Sequence, residues 1–125
     1  MKTHGKLNWA IAAGKIPFLC TGKEPDFISY DQLSILNTCE KDAEISLLIF
    51  YEDEKPVGDY KIKVKARRLR KIRFNDLIDL EAMQMERNFA CCIKSNVPVV
   101  VQFSRMNTGA AANSEIATVA FPIEN

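Results

Sequence analysis

The sequence predicts an all-β fold, an antiparallel β-sandwich of the jelly-roll-like kind, formed by a single domain over residues 1–125. Turn-forming residues recur at short intervals with runs of strand length between them, a pattern typical of sandwiches and barrels. A length of 125 residues suits one domain. The hydrophobic content of 47% allows a core that does not depend on disulfides.

The predicted strands are short and follow one another without a linker or an internal repeat. In chain order they are Leu7–Ala12, Phe27–Tyr30, Leu33–Asn37, Ala43–Tyr51, Tyr60–Val64, Arg67–Phe74, Phe89–Ser95, Val97–Gln102 and Ile116–Phe121. The segment Asp79–Arg87 has a helix-like composition without sustained periodicity, so we expect at most a short helical turn or an irregular loop there.

The clearest hairpin joins Ala43–Tyr51 to Tyr60–Val64. Apolar and polar side chains alternate in both segments, which predicts one buried and one wet face for each strand. The polar connection between them contains Pro and Gly, as a loop requires. The expected register places Phe50 opposite Asp59 and Glu44 opposite Lys65.

The segment Arg67–Phe74 breaks strict alternation. Leu69 and Ile72 cannot both point inward on a regular strand, so we expect a β-bulge near Arg70-Lys71.

The continuous apolar run Val97–Val101 is typical of a strand that is covered on both faces. In an antiparallel sandwich the second cover is often another subunit, so this run favours oligomerisation. Pro98 cannot donate to a strand ladder, and we expect it at a strand start or on an edge.

Positive charge is concentrated in one part of the chain. The net charge is +1, yet residues 61–73 hold eight of the 17 Lys and Arg residues and no acid, which leaves 9 bases against 16 acids, or −7, elsewhere. Such a cluster could bind phosphates of a nucleic acid. Because nothing in the sequence supplies base recognition, we favour a solvated strand face over DNA binding.

Signatures of catalysis and of metal binding are missing from the sequence. The cysteines have no paired-ligand spacing, His4 is the single histidine, and no phosphate-binding glycine loop occurs. The carboxylates Glu24, Asp26 and Asp31 are expected in loops. We therefore predict a protein that is not an enzyme, with no metal and no cofactor. Free thiols, no secretion signal and no apolar run of about 20 residues favour the cytoplasm.

A few polar side chains are candidates for ligand contacts. Asn75 and Asp76 offer an amide and a carboxylate beside the guanidinium of Arg73, although an Asx-turn explains them equally well. Gln102 follows a buried run and could bind a ligand or satisfy backbone at the sheet rim. Arg105 suits an interface. Trp9 could stack on a ligand, but a core position is favoured.

Many of these residues also carry a resemblance to the sensory rhodopsin transducer family. The matching segments run nearly from end to end: Trp9-Ala10-Ile11-Ala12, Gly14, Ile16-Pro17, Glu24-Pro25, Phe27-Ile28-Ser29, Ile35-Leu36-Asn37, Pro56-Val57-Gly58, Ala66-Arg67-Arg68, Ile72-Arg73-Phe74-Asn75-Asp76-Leu77, Ser95-Asn96-Val97-Pro98, Val100-Val101-Gln102 and Arg105. No single segment is specific, but their number and order are.

The resemblance implies a compact antiparallel β-sandwich that assembles as a homotetramer. Typical members receive a light signal from a membrane retinal photoreceptor, and DNA binding is also suggested for such transducers. The wider family resembles binding domains for polar, sugar-like small molecules. By this resemblance, the pocket would contain Trp9, Arg73, Asn75, Asp76, Gln102 and Arg105.

The sequence departs from the typical family pattern at several positions. Tyr30, Lys71 and Phe103 stand where histidines are expected, and Asn107 stands where an aspartate is expected. A pH-sensitive or rhodopsin-facing role of those histidines is therefore not expected in this chain.

Three hypotheses follow from the sequence. The first is a cytoplasmic homotetrameric sensing module that binds a polar small molecule through Arg73, Asn75, Asp76 and Gln102 and signals to a partner protein. The second is a transducer that docks on a membrane retinal photoreceptor without a small ligand. The third is a DNA-binding regulator that uses residues 61–73.

Overall fold

The computed structural model describes residues 4–15, 30–77, 82–83, 87–107 and 114–123. The predicted all-β antiparallel fold is confirmed. The strands are β1 (Lys6–Lys15), β2 (Tyr30–Asn37), β3 (Ala43–Tyr51), β4 (Val57–Val64), β5 (Arg68–Arg73), β6 (Asn88–Asn107), β7 (Ser114–Val119) and β8 (Phe121–Ile123), and a 3₁₀ turn lies at Phe74–Asp76. No helix among the described residues could cross a membrane.

Two sheets form the layers of the sandwich, and the long strand β6 belongs to both. In the first sheet, called sheet A, the strand order is β4-β3-β6-β1-β8. In the second, called sheet B, β2 lies between β5 and β6, and β7 pairs with the other side of β6. All of these pairings are antiparallel.

The prediction of two separate strands at Phe89–Ser95 and Val97–Gln102 is wrong, because β6 is continuous over 20 residues. Its first half pairs with β3 as far as Ser95, and its second half pairs with β2 from Val100 onward. Pro98 lies between these two ladders and takes part in none of the described Cα pairs. A residue without an N–H is tolerated there because the strand is changing sheets.

The hairpin of β3 and β4 has the predicted alternation of buried and exposed side chains. The predicted register is wrong by two residues, since Glu44 lies opposite Lys63 and not Lys65. Strand β4 starts at Val57, three residues earlier than predicted, and a register shift after Leu47 brings Ile49 opposite Val57. A two-residue error preserves which face is buried, so the core assignment is unaffected.

The predicted bulge in β5 is also wrong. The register between β2 and β5 runs without interruption from Gln32 opposite Arg73 to Asn37 opposite Arg68. Ile72 is buried, whereas the side chain of Leu69 is 57% exposed. Leu69 points outward from an edge strand, so no bulge is needed to turn its side chain toward the core.

One hydrophobic core fills the space between the sheets. Sheet A contributes inward residues such as Leu47 and Ile93, and sheet B contributes residues such as Leu33 and Val101. The rings of Phe74 and Phe89 have centroids 4.9 Å apart and are tilted at an interplanar angle of 59°, within the range of favourable aromatic contacts. This contact fixes the 3₁₀ turn after β5 against the first half of β6.

Asn37 connects the β2–β3 turn with the β4–β5 turn. Its fully buried amide nitrogen donates to the carbonyls of Lys41, Val64 and Lys65 at 2.9, 3.1 and 3.3 Å. Its Oδ1 accepts from the backbone N–H of Cys39 at 2.9 Å. A buried amide with its donors and acceptor satisfied is a strong local constraint.

Several predictions lie wholly or partly outside the described residues. These are most of the strand Phe27–Tyr30, most of the segment Asp79–Arg87, and the carboxylates Glu24 and Asp26. At the end of the chain, the single predicted strand Ile116–Phe121 is two strands, because β7 ends at Val119 and β8 begins at Phe121.

Candidate functional site

A two-point ion pair in the sandwich joins Arg105 of β6 to Asp31 of β2. The two residues lie opposite each other in the ladder. Arg105 Nε donates to Asp31 Oδ1 at 2.8 Å, and Arg105 Nη2 donates to Oδ2 at 3.1 Å. The carboxylate is fully buried, whereas 31% of the arginine side chain is exposed. The hydrogen bond to Asp31 raises the pKa of Arg105 above its already high value.

This geometry corrects the expectation that Asp31 lies in a loop. The residue is part of β2 and points into the sandwich. A buried carboxylate needs a cation and hydrogen-bond donors to offset its lost hydration. The guanidinium supplies both, and its two parallel hydrogen bonds to the carboxylate also fix the orientation of the arginine side chain.

Arg105 faces a groove at one end of the sandwich, here called the Arg105 groove. The groove has a volume of about 500 Å³, which lies in the range of small-molecule sites. It is lined by Gly14, Phe50, Tyr51, Glu52, Asn88 and Arg105, among others. Gly14 leaves space for the ring of Phe89, since a Cβ there would lie 2.4 Å from the Phe89 Cζ atom.

The polar groups around the Arg105 groove are held in place by one another. Asn88 Nδ2 donates to Glu52 Oε1 at 3.4 Å. Arg87 forms ion pairs with Asp53 and Glu54, and its guanidinium lies 5.5 Å from the centre of the Tyr51 ring. The groove therefore combines aromatic surface with an amide, a carboxylate and a guanidinium.

Arg73 and Gln102 lie on the outer face of sheet B. Arg73 is opposite Gln32, which is in turn opposite Ser104. One row away, Gln102 is opposite Ser34, which is opposite Lys71. These six side chains form a surface that we call the polar face. Gln32 Nε2 donates to Ser104 Oγ at 3.5 Å within it.

Asn75 and Asp76 belong to the 3₁₀ turn that follows Arg73. Asn75 is half-buried and Asp76 is exposed. The turn brings them to the end of sheet B that also holds Asp31 and Arg105, but on the β5 side of the sandwich. The structure thus brings Arg73, Asn75, Asp76 and Arg105 to one end, with Arg105 directed inward.

Trp9 is a buried core residue, as its strand position favours. Its Nε1 donates to the carbonyls of Lys6 and Val99 at 3.1 and 3.0 Å. Val99 lies six residues before Arg105 on β6, so the indole is remote from the Arg105 groove. A ligand cannot stack on this ring without opening the core.

The basic cluster of residues 61–73 covers the two edge strands β4 and β5 on one side of the sandwich. Three of its cations have exposed carboxylate partners: Lys61 with Asp59, Lys63 with Glu44 and Arg67 with Glu40. Arg70 Nη1 donates to the carbonyl of Lys63 at 2.7 Å and so links the two edges. Such contacts are typical of a solvated, protected edge; DNA binding stays a prediction.

Among the described residues, no group of three or more His, Cys, Asp or Glu side chains is arranged to hold a metal.

Sequence reasoning identified Arg105 but missed Asp31, Phe50, Tyr51 and Glu52 as its neighbours. Tyr51 and Glu52 end a strand and begin a loop, a position where functional residues are common. No local signal marks Asp31, because its partner is 74 positions away in the chain.

Comparisons with known proteins place this architecture in one family. The family model for the Anabaena sensory rhodopsin transducer matches residues 4–122. No curated protein matches the chain. A solved structure of the Anabaena sensory rhodopsin transducer is 45% identical, with a TM-score of 0.76, and the match covers 82% of this chain and 99% of that one. A structure described as Thermotoga maritima 1070 is 28% identical, with a TM-score of 0.84, covering 96% and 97%. This chain therefore belongs to the Anabaena sensory rhodopsin transducer family.

Proposed function

We propose that this protein is a signalling module that binds an uncharged, sugar-like small molecule in the Arg105 groove and passes that event to a partner protein. Membership of a transducer family supports the signalling role. The observation that carries the ligand proposal is the guanidinium of Arg105, which is held by the buried carboxylate of Asp31 while it lines a groove of about 500 Å³. A binding group fixed in advance loses little freedom when a ligand arrives.

The charge balance of the groove favours a neutral ligand. The positive charge of Arg105 is matched by Asp31, and Glu52 adds a further negative charge at the rim. An anion would meet net repulsion there, whereas hydroxyl groups can donate to the carboxylate and accept from the guanidinium and amide. The exposed ring of Phe50 supplies an apolar surface for the C–H face of a sugar ring.

The proposed partner surface is the polar face of sheet B, which contains Arg73 and Gln102, extended by Asn75 and Asp76 in the adjoining turn. Strands β2 and β6 carry both sites, because Gln32 and Ser104 of the polar face follow and precede the ion-paired Asp31 and Arg105. A shift of Arg105 on ligand binding would move its own strand, and the polar face with it. For a transducer of this family, a membrane retinal photoreceptor is the partner that we propose first.

We also propose that the homotetramer implied by the family forms in this protein through the apolar end of the outer face of sheet B. Leu69 lies opposite Leu36, which lies opposite Val100. The two leucines are 57% and 40% exposed. Changing both to serine should reduce the mass measured by light scattering, and an unchanged mass would reject this surface.

Calorimetry and thermal-shift assays with neutral sugars test the ligand proposal. Binding to the folded state alone must raise the melting temperature. Phe50→Ser removes the exposed ring and leaves the Arg105–Asp31 pair intact, so it should weaken binding at least tenfold. Phe121→Ser is the matched control, because Phe121 is 78% exposed and does not line the Arg105 groove.

Two results would contradict the ligand proposal. One is binding that Phe50→Ser and Arg105→Lys both leave unchanged. The other is the lack of any stabilisation across a panel of sugars at millimolar concentration. In the second case, copurification with membranes that contain a retinal photoreceptor, at low salt, would test docking without a small ligand.

A further inference from the structure

A second groove lies on the outer face of sheet A, and the proposed ligand in the Arg105 groove does not account for it. This groove, called here the sheet-A groove, has a volume of about 550 Å³. One row of outward positions crosses all five strands of the sheet through it: Lys61, Ser46, Lys94, Asn8 and Ile123. Neighbouring strands are about 4.8 Å apart, so Lys61 and Lys94 stand about 10 Å from each other along the row.

The groove is lined by two carboxylates, Glu44 and Asp59, and two ammonium groups, Lys61 and Lys94. Lys63 lies outside it and pairs with Glu44 at 3.8 Å, and Lys61 pairs with Asp59 at 3.7 Å. Within the part of the chain that the structure describes, Lys94 has no carboxylate within 4 Å. Both carboxylates that line the groove are thus matched, and one ammonium group remains at its centre.

Hydrogen-bonding groups surround Lys94. Ser46 Oγ accepts from Lys61 Nζ at 2.9 Å, which leaves the serine hydroxyl able to donate. Asn96 Oδ1 accepts from the backbone N–H of Glu44 at 2.7 Å. That bond orients the side chain so that its NH₂ group can donate elsewhere, and Asn8 adds a second amide on the other side of Lys94.

We propose that the sheet-A groove binds a small hydroxylated molecule with a single carboxylate, such as a sugar acid, whose negative charge is bound by Lys94. Ser46, Asn8 and Asn96 hydrogen-bond its hydroxyl groups. Leu48 and Ile123 form an apolar wall for its carbon skeleton. The unmatched ammonium separates this site from the Arg105 groove, where the cation is neutralised and a carboxylate stands at the rim.

Cys92 provides a direct reporter of occupancy. It is exposed, lines the groove, and lies two residues before Lys94, so both side chains are on the same face of β6. A ligand bound to Lys94 should shield the thiol from a neutral alkylating reagent. Cys39 and Cys91 are buried, and replacing Cys20 by Ser removes the remaining thiol from the measurement.

The experiment measures the rate at which iodoacetamide modifies Cys92 in the Cys20→Ser protein, with D-glucuronate or D-glucose at equal concentration and constant ionic strength. We expect glucuronate to slow the reaction at least fivefold at saturation and glucose to leave it unchanged. Lys94→Gln should raise the glucuronate concentration needed for half-protection at least tenfold. Lys71→Gln is the matched control, because Lys71 is an exposed lysine on the opposite sheet.

Equal protection by glucose and glucuronate would overturn the proposal, as would no protection by millimolar glucuronate or protection that survives Lys94→Gln. If Lys71→Gln reduced the protection as much as Lys94→Gln does, the effect would be a general charge attraction, and the proposal would again be overturned. The Phe50→Ser variant separates the two sites, since it should weaken binding of neutral sugars without changing glucuronate protection of Cys92. Failure of either site therefore leaves the other one testable.

Discussion

The fully buried carboxylate of Asp31 and the partly exposed guanidinium of Arg105 form a two-point pair across β2 and β6, with hydrogen bonds of 2.8 and 3.1 Å. The pair couples the second half of β6 to the first residues of β2. It also positions the guanidinium at the Arg105 groove. One contact therefore serves both the fold and the proposed binding site, and the two roles can be separated by mutation.

Arg105→Ala should destabilise the protein by about 3–5 kcal/mol, because it leaves the charge of Asp31 buried without its partner. Arg105→Lys should cost less, since it keeps a cation but loses the fork of donors. Urea denaturation monitored by Trp9 fluorescence measures both. Arg68→Ala is the control, because Arg68 is exposed on β5 and donates to the nearby carbonyls of Ala66 and Arg67, and it should change stability by less than about 0.5 kcal/mol.

Asn37→Ala should be among the most destabilising substitutions outside the hydrophobic core. It removes a fully buried amide and leaves the N–H of Cys39 and the carbonyls of Lys41 and Val64 without these bonds. We expect the free energy of unfolding to fall by about 2–4 kcal/mol. Each buried group left unsatisfied costs about 1–3 kcal/mol, and relaxation of the turns lowers the sum. Asn96→Ala deletes one exposed bond to the N–H of Glu44 and should cost about 1 kcal/mol or less in the same urea titration.

An effect at Asn37 no larger than the effect at Asn96 would mean that the two turns are not held together in this way. Asn37→Asp gives a further check, because it keeps the acceptor for Cys39 but places a negative charge against carbonyl oxygens. It should be at least as destabilising as Asn37→Ala.

The parts of the fold that the sequence predicts well are those with a local pattern. The alternation in β3 and β4 identifies their buried faces, and Trp9 follows the same rule. The sequence does not predict the continuity of β6, because Pro98 has no N–H to donate and is expected at a strand start or on an edge. Pro98 lies instead where one strand passes from sheet A to sheet B, which is a property of the assembled sandwich.

The candidate site was less predictable for a related reason. Its central ion pair joins residues 74 positions apart, and an aspartate within a short polar segment indicates a loop by local rules. Leu69 gives the opposite error, since the expectation that a leucine is buried predicts a bulge, whereas the structure leaves its side chain 57% exposed. Residue type reports average burial, whereas the position of a strand at an edge or in the centre of a sheet decides the individual case.

Arg67 should tolerate glycine better than its neighbour does. Its φ of 56° is in the left-handed region, which costs roughly 1 kcal/mol for a residue with a Cβ. Arg67→Gly relieves that cost and loses an exposed ion pair with Glu40 that contributes little, so stability should be unchanged or higher by up to about 1 kcal/mol. Arg68→Gly, at the first residue of β5, should instead cost up to about 0.5–1 kcal/mol. Thermal unfolding of both variants measures the difference in stability. An equal loss of stability in Arg67→Gly and Arg68→Gly would contradict the prediction.

The adjacent cysteines on β6 should differ sharply in reactivity. Cys91 is fully buried between the sheets and Cys92 is exposed, because neighbouring residues of a strand face opposite sides. In the Cys20→Ser protein we expect iodoacetamide to add one label under native conditions and none after Cys92→Ser. Unfolding in urea should make the buried thiols reactive. Native labelling at Cys91 in the Cys92→Ser variant, located by peptide mapping and so distinguished from Cys39, would show that β6 opens locally.

Burial of Cys91 also predicts how stability depends on pH. Desolvation, with a smaller contribution from Cys92, raises the pKa of the Cys91 thiol well above its usual range. The native state therefore keeps a proton that the unfolded state releases above about pH 8.5. Stability from this group is fully present below that pH and is lost as pH rises, by about 1.4 kcal/mol per unit at most. Urea titrations of the native protein and of Cys91→Ala between pH 7 and 10 measure the difference. The free energy of unfolding should fall more steeply with pH for the unsubstituted protein than for Cys91→Ala. Equal pH dependence of the two proteins would place the Cys91 thiol in contact with water.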